Sequence, residues 1–362
     1  MASYKKGKVV RIIKESADLV KAIVEIDGAE APAVAYPRLT GGIEAGAEVI
    51  VNTTAVELDL GSGGFHIIVW NLNNGEVALP AAGHIMKMRY TPLQFNVTAV
   101  EEKAGGGADV LAHFTDLGGL PVIIGTLHSQ LAPAAAVLKF RTAKRAKVAY
   151  VMTDGAALPI ALSDSVRDLK EKGLIDVTVT IGQAFGGDLE AVNIFSGLAA
   201  AKAVAGVDAV IVTMGVGVVG TDTFLGFSGI EQGETVNAVY ALRGRPIAVP
   251  RLNFQDPRPR HKGLSEQTIA ALMLAALAPC DVPVPRMDPD KTREVLSKLE
   301  ETGLSEKHRV RVVANDGTAE ALKMFGLKPT TMGRDFDTEP EFFRAAGAAG
   351  TLAAEIVNGA QR

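Results

Sequence analysis

Short apolar runs separated by turn residues fill the first hundred residues of the chain. Four of them have the alternating, β-branched character of strands, and they cover residues 8–13, 19–26, 48–52 and 65–70. Turns that contain glycine separate the runs, and Asn74-Gly75 is the strongest two-residue hairpin signal among them. No long helical pattern interrupts this region. Because closure removes exposed sheet edges, the pattern predicts a small N-terminal β-barrel or curled sheet.

From Pro121 onward the period changes, and apolar runs alternate with helical patterns. Strands are predicted at 121–126, 147–152, 175–181, 208–214, 246–250, 281–285 and 309–313. Helices are predicted at 129–141, 160–172, 188–205, 265–278, 288–302, 317–325 and 339–358. This alternation is typical of a mostly parallel sheet. The predicted fold class is therefore α/β: a small N-terminal β-barrel plus a C-terminal Rossmann-like, mostly parallel α/β sheet domain.

The glycine-rich segment 101–107 separates the two patterns and is the best candidate for a linker. We therefore predict a barrel-like domain over residues 1–115 and a Rossmann-like domain with a C-terminal helix over 118–362. A chain of 362 residues exceeds one typical hydrophobic core, so two domains also agree with its length.

The composition narrows the possible classes of protein. Aromatic residues make up 5% of the chain and the formal charge is −4, so a nucleic-acid partner is not expected. Cys280 is the only cysteine, which excludes an intrachain disulfide framework. The N-terminus lacks the apolar segment of a signal peptide, and Lys202 and Asp208 interrupt the most apolar window, 191–221. We therefore expect a cytoplasmic protein without a membrane span.

Polar residues or glycines follow five of the predicted strands. The loops that contain them cover residues 126–130, 153–155, 182–190, 215–223 and 253–261. In open α/β sheets, ligands bind outside the carboxyl ends of the strands, which share one edge of the sheet. The loops are therefore expected to form one pocket for a small molecule.

The glycine loop after the fourth predicted strand matches the pattern G-x-G-x-x-G through Gly215, Gly217 and Gly220. Residues 221–233 do not have a helical pattern, and Thr221 occupies the position of a P-loop lysine. A dinucleotide site and an NTPase are therefore poorly supported. Two interpretations remain for the loop: a backbone-lined pocket for an anion or substrate, in which Thr221 takes part, or a tight packing turn in the sheet.

The segment Asp256-Pro-Arg-Pro-Arg-His261 is the most distinctive polar cluster of the chain. Arg258 and Arg260 stand on a backbone stiffened by proline, and guanidinium groups are suited to bidentate clamping of carboxylate or phosphate. His261 titrates near neutral pH and is a candidate acid, base or ligand. The alternative is an exposed basic loop held by local Asp–Arg pairs.

Further polar residues stand at predicted strand ends. Asp154 precedes a glycine and is a candidate acid, base or metal ligand, and His128 is a candidate catalytic or pocket-lining residue. The adjacent Ser129 is expected to cap the next helix rather than to act as a nucleophile. Asp188 either binds a cation, a sugar hydroxyl or an amine, or caps the helix at 188–205. No motif has the specific ligand spacing of a metal site, but Mg²⁺ or Mn²⁺ would suit these oxygen-rich side chains.

Five segments carry a resemblance to a known family: residues 52–64, 125–131, 182–191, 215–221 and 256–263. Together they resemble an uncharacterised bacterial family, known only as a domain of unknown function that fills the whole protein. The resemblance implies no reaction, because no activity is attached to the family. Members often carry histidines after the Arg-His-x-Gly segment, where this chain has Glu266 and Gln267. This difference weakens a histidine-based metal site.

Two hypotheses for the function follow. In the first, the chain is a binding protein or enzyme for a small anionic or phosphorylated metabolite, which Arg258 and Arg260 hold near the amides of 215–221. Asp154 or His261 would then transfer protons. In the second, the chain is a non-catalytic module whose barrel contacts RNA or a protein partner. A homodimer is expected in either case.

Overall fold

Five strands close into a barrel at the N-terminus of the protein, whose computed structural model describes residues 2–60, 63–78 and 82–360. The barrel strands are β1 (Tyr4–Glu15), β2 (Val20–Ile26), β3 (Ala29–Ala35), β4 (Glu48–Asn52) and β5 (His66–Asn71). Their spatial order is β1-β2-β3-β5-β4, and they enclose a hydrophobic core of their own. The predicted N-terminal barrel is confirmed.

The barrel belongs to the first of two compact units, Met1–Val97 and Thr98–Arg362. The first unit also contains α1 (Pro37–Thr40), α2 (Thr54–Glu57), β6 (Ile85–Lys87) and β7 (Phe95–Val97). β6 and β7 pair with each other in a two-stranded antiparallel ladder. Residues 98–115 group with the second unit.

Asp27-Gly28 forms the tight turn between β2 and β3. Both residues have positive φ, 53° and 80°, and Ile26 pairs directly with Ala29 across the turn. These features are those of a type I′ hairpin, whose twist matches that of its strands. Asn74-Gly75 instead follows β5 in a loop, where the Asn74 side chain donates to the Thr40 carbonyl oxygen. Among the described residues, β5 pairs with β3 and β4. The hairpin prediction at Asn74-Gly75 was therefore wrong, because a tertiary hydrogen bond holds that turn.

The second unit is built on a sheet of eight strands that all run parallel. The unit contains β8 (Pro121–Ile124), β9 (Val148–Thr153), β10 (Val177–Ile181), β11 (Leu189–Ala191), β12 (Ala209–Met214), β13 (Arg245–Ala248), β14 (Leu252–Asn253), β15 (Gly263–Leu264), β16 (Asp281–Pro285) and β17 (Arg309–Val313). The sheet order is β11-β10-β9-β12-β8-β13-β16-β17, whereas β14 and β15 form a separate antiparallel pair. The predicted Rossmann-like parallel sheet is confirmed.

Helices form most of the connections between these strands. They are α3 (Ala108–Ala112), α4 (Leu131–Arg141), α5 (Asp164–Glu171), α6 (Ile194–Ala199), α7 (Glu231–Ala241), α8 (Glu266–Ala270), α9 (Pro289–Glu301), α10 (Leu304–Lys307), α11 (Thr318–Phe325) and α12 (Pro340–Ala360). α6 and α8 continue as π-helical turns over Ala200–Val204 and Ala271–Ala275. Within the described residues, no helix combines the length and the apolar character that a membrane crossing requires.

One helix prediction differs from the structure, and the long helix α7 was not predicted. The helix predicted at 188–205 was wrong in its first part, because Leu189–Ala191 pairs with β10 as a strand. The helix begins only after Asn193, whose side chain caps it by accepting from the Phe195 and Ser196 amides. α7 was not predicted, because Gly233 and several β-branched residues conceal its helical pattern.

α12 packs closely on α4 at Gly350. A Cβ atom at this position would lie 2.6 Å from the Ala134 carbonyl oxygen and 3.1 Å from the Leu138 amide nitrogen. Because these backbone atoms cannot move aside cheaply, Gly350→Ala is expected to lower the free energy of unfolding by roughly 1–2 kcal/mol in urea denaturation. Gly359→Ala, in open space on the same helix, is the matched control and should cause no loss. Equal losses in both variants would contradict the assigned contact.

Candidate functional site

The direction in which the chain crosses the parallel sheet reverses between β9 and β12. From β9 the chain continues to β10 on one side of the sheet, whereas from β12 it crosses β8 and continues to β13 on the other side. Connections that diverge in this way leave a gap at the strand ends, where open α/β sheets bind ligands. We use the term strand-end site for the side chains that follow β8, β9, β12 and β13 at this edge.

His128, which follows β8, is held by hydrogen bonds on both ring nitrogens. Its Nδ1 lies 3.2 Å from the Met214 carbonyl oxygen and 3.2 Å from the Tyr150 hydroxyl. Its Nε2 lies 2.7 Å from the Ser163 hydroxyl. Because the Met214 carbonyl oxygen can only accept, we assign the ring proton to Nδ1, which leaves Nε2 as an acceptor. The Ser163 hydroxyl therefore donates to Nε2.

The imidazole of His128 is uncharged at physiological pH. Burial lowers the pKa of His128 to about 4, although the hydrogen bond to the Met214 carbonyl opposes this shift. Tyr150 also fixes the orientation of the ring, because its own ring meets that of His128 edge-on at a centroid distance of 6.0 Å. His128 is therefore an oriented, neutral base at the end of β8.

Glu231, the first residue of α7, brings a half-buried carboxyl group to the end of β9. It accepts a 2.5 Å hydrogen bond from the Thr153 hydroxyl. Burial raises the pKa of Glu231 to about 7, and the negative charge of Asp154 acts in the same direction, while the bond from Thr153 opposes both. A carboxyl group that titrates near neutral pH is suited to general acid–base catalysis.

Two glycines make room for these carboxylates. A Cβ atom at Gly155 would lie 2.6 Å from a carboxylate oxygen of Glu231, and one at Gly182 would lie 2.3 Å from a carboxylate oxygen of Asp154. Asp154 is exposed and accepts a 2.8 Å hydrogen bond from the Gln183 amide. The structure thus brings the predicted residue Asp154 together with Glu231, which the sequence analysis did not single out.

Three arginines surround the buried carboxylate of Asp256, after β14. Arg258 donates through Nε and Nη2 to the two carboxylate oxygens, each at 2.8 Å. The Nη2 atoms of Arg251 and Arg334 each lie 3.8 Å from one of these oxygens. The hydrogen bonds from Arg258 are the main reason that the pKa of Asp256 lies well below its usual range. We define the arginine cluster as these three residues together with Arg260.

The carboxylates around the arginine cluster do not neutralise all of its positive charges. Arg251 has only 6% of its side chain exposed, and its Nε has no hydrogen-bond partner among the described residues. Burial lowers the pKa of Arg251 to about 10, and neighbouring arginines add to this shift, while Asp256 opposes it. The Nε and Nη2 atoms of Arg334 also have no hydrogen-bond partner in the described part, although Glu339 lies 3.4 Å from Nε. An added anion would stabilise such buried guanidinium groups.

Arg260 and His261 have local partners. Arg260 pairs with the exposed carboxylate of Asp222 and donates from Nε to His261 Nε2 at 3.2 Å. His261 Nδ1 lies 2.9 Å from the Ser265 hydroxyl. Burial lowers the pKa of His261 to about 4, and the charges of neighbouring arginines contribute. His261 is therefore neutral at physiological pH and adds no charge to the arginine cluster.

Gly215 in the glycine loop fits the interpretation as a tight packing turn, and the interpretation as a pocket stays a prediction. Gly215 is a packing position, because a Cβ atom there would lie 2.3 Å from the Ala157 carbonyl oxygen. Gly217 has a φ of 91° and is exposed. Gly220 faces the side chain of Gln267, which accepts a 2.7 Å hydrogen bond from Arg251. The loop therefore approaches the arginine cluster through Gln267.

Some backbone amides of this loop already donate hydrogen bonds within the protein. The Thr221 amide donates to the Gly226 carbonyl oxygen at 2.7 Å, and the Val219 amide donates to the Ser228 hydroxyl at 3.1 Å. The Thr221 hydroxyl lies 2.8 Å from that of Thr223. An anion near the loop would therefore depend more on the arginine side chains than on these amides.

Asp188 has its partners at a different edge of the sheet. Its carboxylate accepts from the amide and hydroxyl of Thr178 on β10, each at 2.8 Å, and from the Lys170 ammonium on α5. These contacts tie the segment before β11 to its neighbours. The interpretation of Asp188 as a helix N-cap was wrong, because Asn193 caps α6.

The structure adds four residues to the candidate site: Ser163, Glu231, Arg251 and Arg334. A signal existed for Arg251, which directly follows the predicted strand at 246–250. The other three stand away from the predicted strand ends, so only tertiary contacts reveal them. Cavities of about 470 Å³ along α9 and 580 Å³ beside β17 lie outside the strand-end site, which is assigned from side-chain chemistry.

No group of three or more His, Cys, Asp and Glu side chains is arranged to hold a metal ion in the described part of the chain.

A family model described as "Protein of unknown function (DUF3866)" matches residues 32–350. This match confirms the resemblance to a domain of unknown function, which spans most of the chain. No curated protein matches the chain.

Proposed function

The chain belongs to this family of proteins of unknown function, and we propose from its geometry that it binds a small anionic metabolite at the strand-end site. The metabolite carries a carboxylate or phosphate group, which the arginine cluster holds. Its remaining polar atoms face the acid–base groups at the ends of β8 and β9. The single observation that carries this proposal is the incomplete neutralisation of the arginine cluster.

The charges of the arginine cluster support a role in anion binding more than a purely structural role. A purely structural cluster would pair each buried guanidinium with a carboxylate, because an unpaired buried charge is costly. Here Asp256 is shared among Arg251, Arg258 and Arg334, and Glu339 lies 3.4 Å from Arg334 Nε, whereas Arg251 Nε has no hydrogen-bond partner among the described residues. Planar guanidinium groups bind carboxylate and phosphate through paired hydrogen bonds. An oxyanion would therefore supply the missing negative charge and acceptors.

The proposal predicts that Arg251→Met removes anion binding without unfolding the protein. Saturating inorganic phosphate or citrate should stabilise the wild-type protein, by about 2.7 kcal/mol at a concentration 100-fold above Kd. The variant should lose this stabilisation, because it lacks the guanidinium group whose Nε has no hydrogen-bond partner among the described residues. Its stability without anion should change little, because the charge removed is buried and incompletely paired. Melting temperatures measured with and without the anions test both statements.

The matched control is Arg293→Met, in which 76% of the native arginine side chain is exposed and its partner is the exposed Asp290. This control should keep the full response to phosphate. Measurements in potassium chloride at equal ionic strength control for the general screening of charges by salt. A wild-type response in the Arg251→Met variant, or no response of the wild-type protein to either anion, would contradict the proposal. Parallel measurements with Mg²⁺, Mn²⁺ and a chelator test the metal dependence that the sequence left open.

The alternative in which the barrel binds RNA has less support. On β1, Lys6 pairs with Glu48, and Lys5 pairs with Asp27 and Glu57, all within 2.9 Å. Lysines neutralised in this way contribute little to attraction of a polyanion. The predicted homodimer stays a prediction, which light scattering would test.

A further inference from the structure

We infer that Ser163 and His128 form a nucleophile–base pair that hydrolyses an ester of the anionic metabolite. The inference rests on the proposed function, because the arginine cluster would hold the anionic group of the same substrate. It adds a reaction class, acyl transfer to water, and assigns the reacting atoms to Ser163 Oγ and His128 Nε2.

The hydrogen-bond donors and acceptors around His128 support this assignment. We assign the ring proton to Nδ1, because the Met214 carbonyl oxygen 3.2 Å from it can only accept. The lone pair of Nε2 therefore points to Ser163 Oγ, at 2.7 Å. This is the contact by which a base activates a hydroxyl nucleophile, with the opposite nitrogen held by an orienting group. Tyr150 and the Met214 carbonyl are the orienting groups.

Ser163 does more than cap α5. Ser163 Oγ accepts a 3.1 Å hydrogen bond from the Val166 amide and so caps α5. A cap requires only this acceptor, whereas the hydroxyl proton of Ser163 is directed to a neutral imidazole.

The pair is connected to the arginine cluster by a short chain of contacts. Ser129, the residue after His128, donates from its hydroxyl to the Thr331 hydroxyl at 3.2 Å. The backbone of Thr331 exchanges two hydrogen bonds with that of Arg334. Arg334 in turn faces Asp256 in the arginine cluster. One series of contacts therefore links the subsite for the anionic group of a substrate with the subsite for its ester group.

The reaction balances without a cofactor. Ser163 Oγ attacks the ester carbonyl carbon, and its proton passes to His128 Nε2. The bond from that carbon to the alcohol oxygen then breaks, and the alcohol leaves with the proton from Nε2. Water attacks the acyl-serine, again giving a proton to Nε2, and Ser163 regains a proton as the acid leaves. The sum is ester plus water giving acid plus alcohol.

A small fluorophosphonate tests the pair directly on the full chain. Ser163 Oγ would form a bond to phosphorus, the phosphorus–fluorine bond would break, and the proton would leave with fluoride as HF. Intact-mass spectrometry should show one adduct for each chain, and peptide mapping should locate it on Ser163. The labelling rate should fall by roughly 100-fold or more in His128→Gln, because the general base is lost.

Two variants separate chemistry from folding. Ser163→Asn keeps an oxygen that can cap α5 but has no nucleophilic hydroxyl, so it should stay folded and take no adduct. Ser165→Ala, on the same helix, should be labelled at the wild-type rate. Circular dichroism confirms the fold of each variant. Absence of any adduct on the folded wild-type protein, or an adduct that persists in Ser163→Asn, would overturn the inference.

The outcome is distinguishable from failure of the proposed function. Labelling by the fluorophosphonate requires the Ser163–His128 pair but not the arginine cluster. If phosphate stabilises the protein through Arg251 and no adduct forms, the anion site stands and the hydrolase inference fails. If the adduct forms on Ser163 and phosphate has no effect, the nucleophile stands and the anion site fails.

Discussion

Replacing Asp256 with asparagine is expected to lower the free energy of unfolding by roughly 3–5 kcal/mol, the usual effect of breaking a buried ion pair on one side. The Asp256 side chain is 1% exposed and is the shared counterion of Arg251, Arg258 and Arg334. Asparagine has nearly the same shape, but it removes the negative charge. It also presents an amide N–H group to the guanidinium N–H groups of Arg258, where two acceptors stood before.

The same variant should bind anions more tightly than the wild-type protein, although it is less stable. Loss of the carboxylate leaves the arginine cluster with one more uncompensated positive charge. Phosphate should therefore stabilise the Asp256→Asn variant by more than it stabilises the wild-type protein. Urea denaturation with and without phosphate measures both quantities, and opposite signs are expected for stability and affinity.

The matched control for this prediction is Asp290→Asn, which breaks an exposed pair with Arg293. Exposed pairs contribute little, so this change should cost less than about 1 kcal/mol and leave the phosphate response unchanged. A loss at Asp256 no larger than at Asp290 would show that the arginine cluster does not depend on that carboxylate.

The stability of the protein is expected to fall by roughly 2–3 kcal/mol between pH 5 and pH 8 because of Glu231 alone. The ordinary pKa of this carboxyl group is 4.5, and burial raises it to about 7 in the folded protein. The folded state therefore binds the proton more tightly than the unfolded state. Stability from this group is fully present below about pH 4.5 and is lost as the pH rises through 7.

Glu231→Gln removes this pH dependence while keeping an oxygen that accepts from Thr153. The variant should match the wild-type protein near pH 5 and exceed its stability near pH 8. Asp154→Asn provides a second test, because loss of its charge should lower the pKa of Glu231 and move the fall in stability to lower pH. Parallel stability curves for the wild-type protein and Glu231→Gln across this pH range would contradict the assignment.

Local patterns were sufficient for most of the secondary structure. Apolar runs and helix caps placed the parallel strands and α9, α11 and α12, and Asp288 caps α9 through its side chain, as expected. β3 escaped prediction because Pro32 lies within it, although Pro32 pairs with Ile23 across β2 and β3. The strand β11 was missed because three residues are too few for a periodic pattern.

The candidate site was predicted less completely than the fold. The sequence pointed to the strand ends and to His128, Asp154 and the segment from Asp256 to His261, because polar residues interrupt apolar runs there. It did not pair His128 with Ser163, which lies 35 residues away, or Asp154 with Glu231. Such pairs depend on which strands are neighbours in the sheet, and sheet order is not encoded in local periodicity.

What the sequence determined by itself is the alternation of strands and helices, the barrel before it, and the edge of the sheet where polar loops converge. These follow from hydrophobic period and turn chemistry, which act over a few residues. Only the tertiary structure decided which arginine keeps a free nitrogen, which carboxyl group is buried enough to titrate near neutral pH, and which hydroxyl meets the imidazole. Burial and charge pairing between segments distant in sequence set those properties, so they exist only once the sheet has assembled.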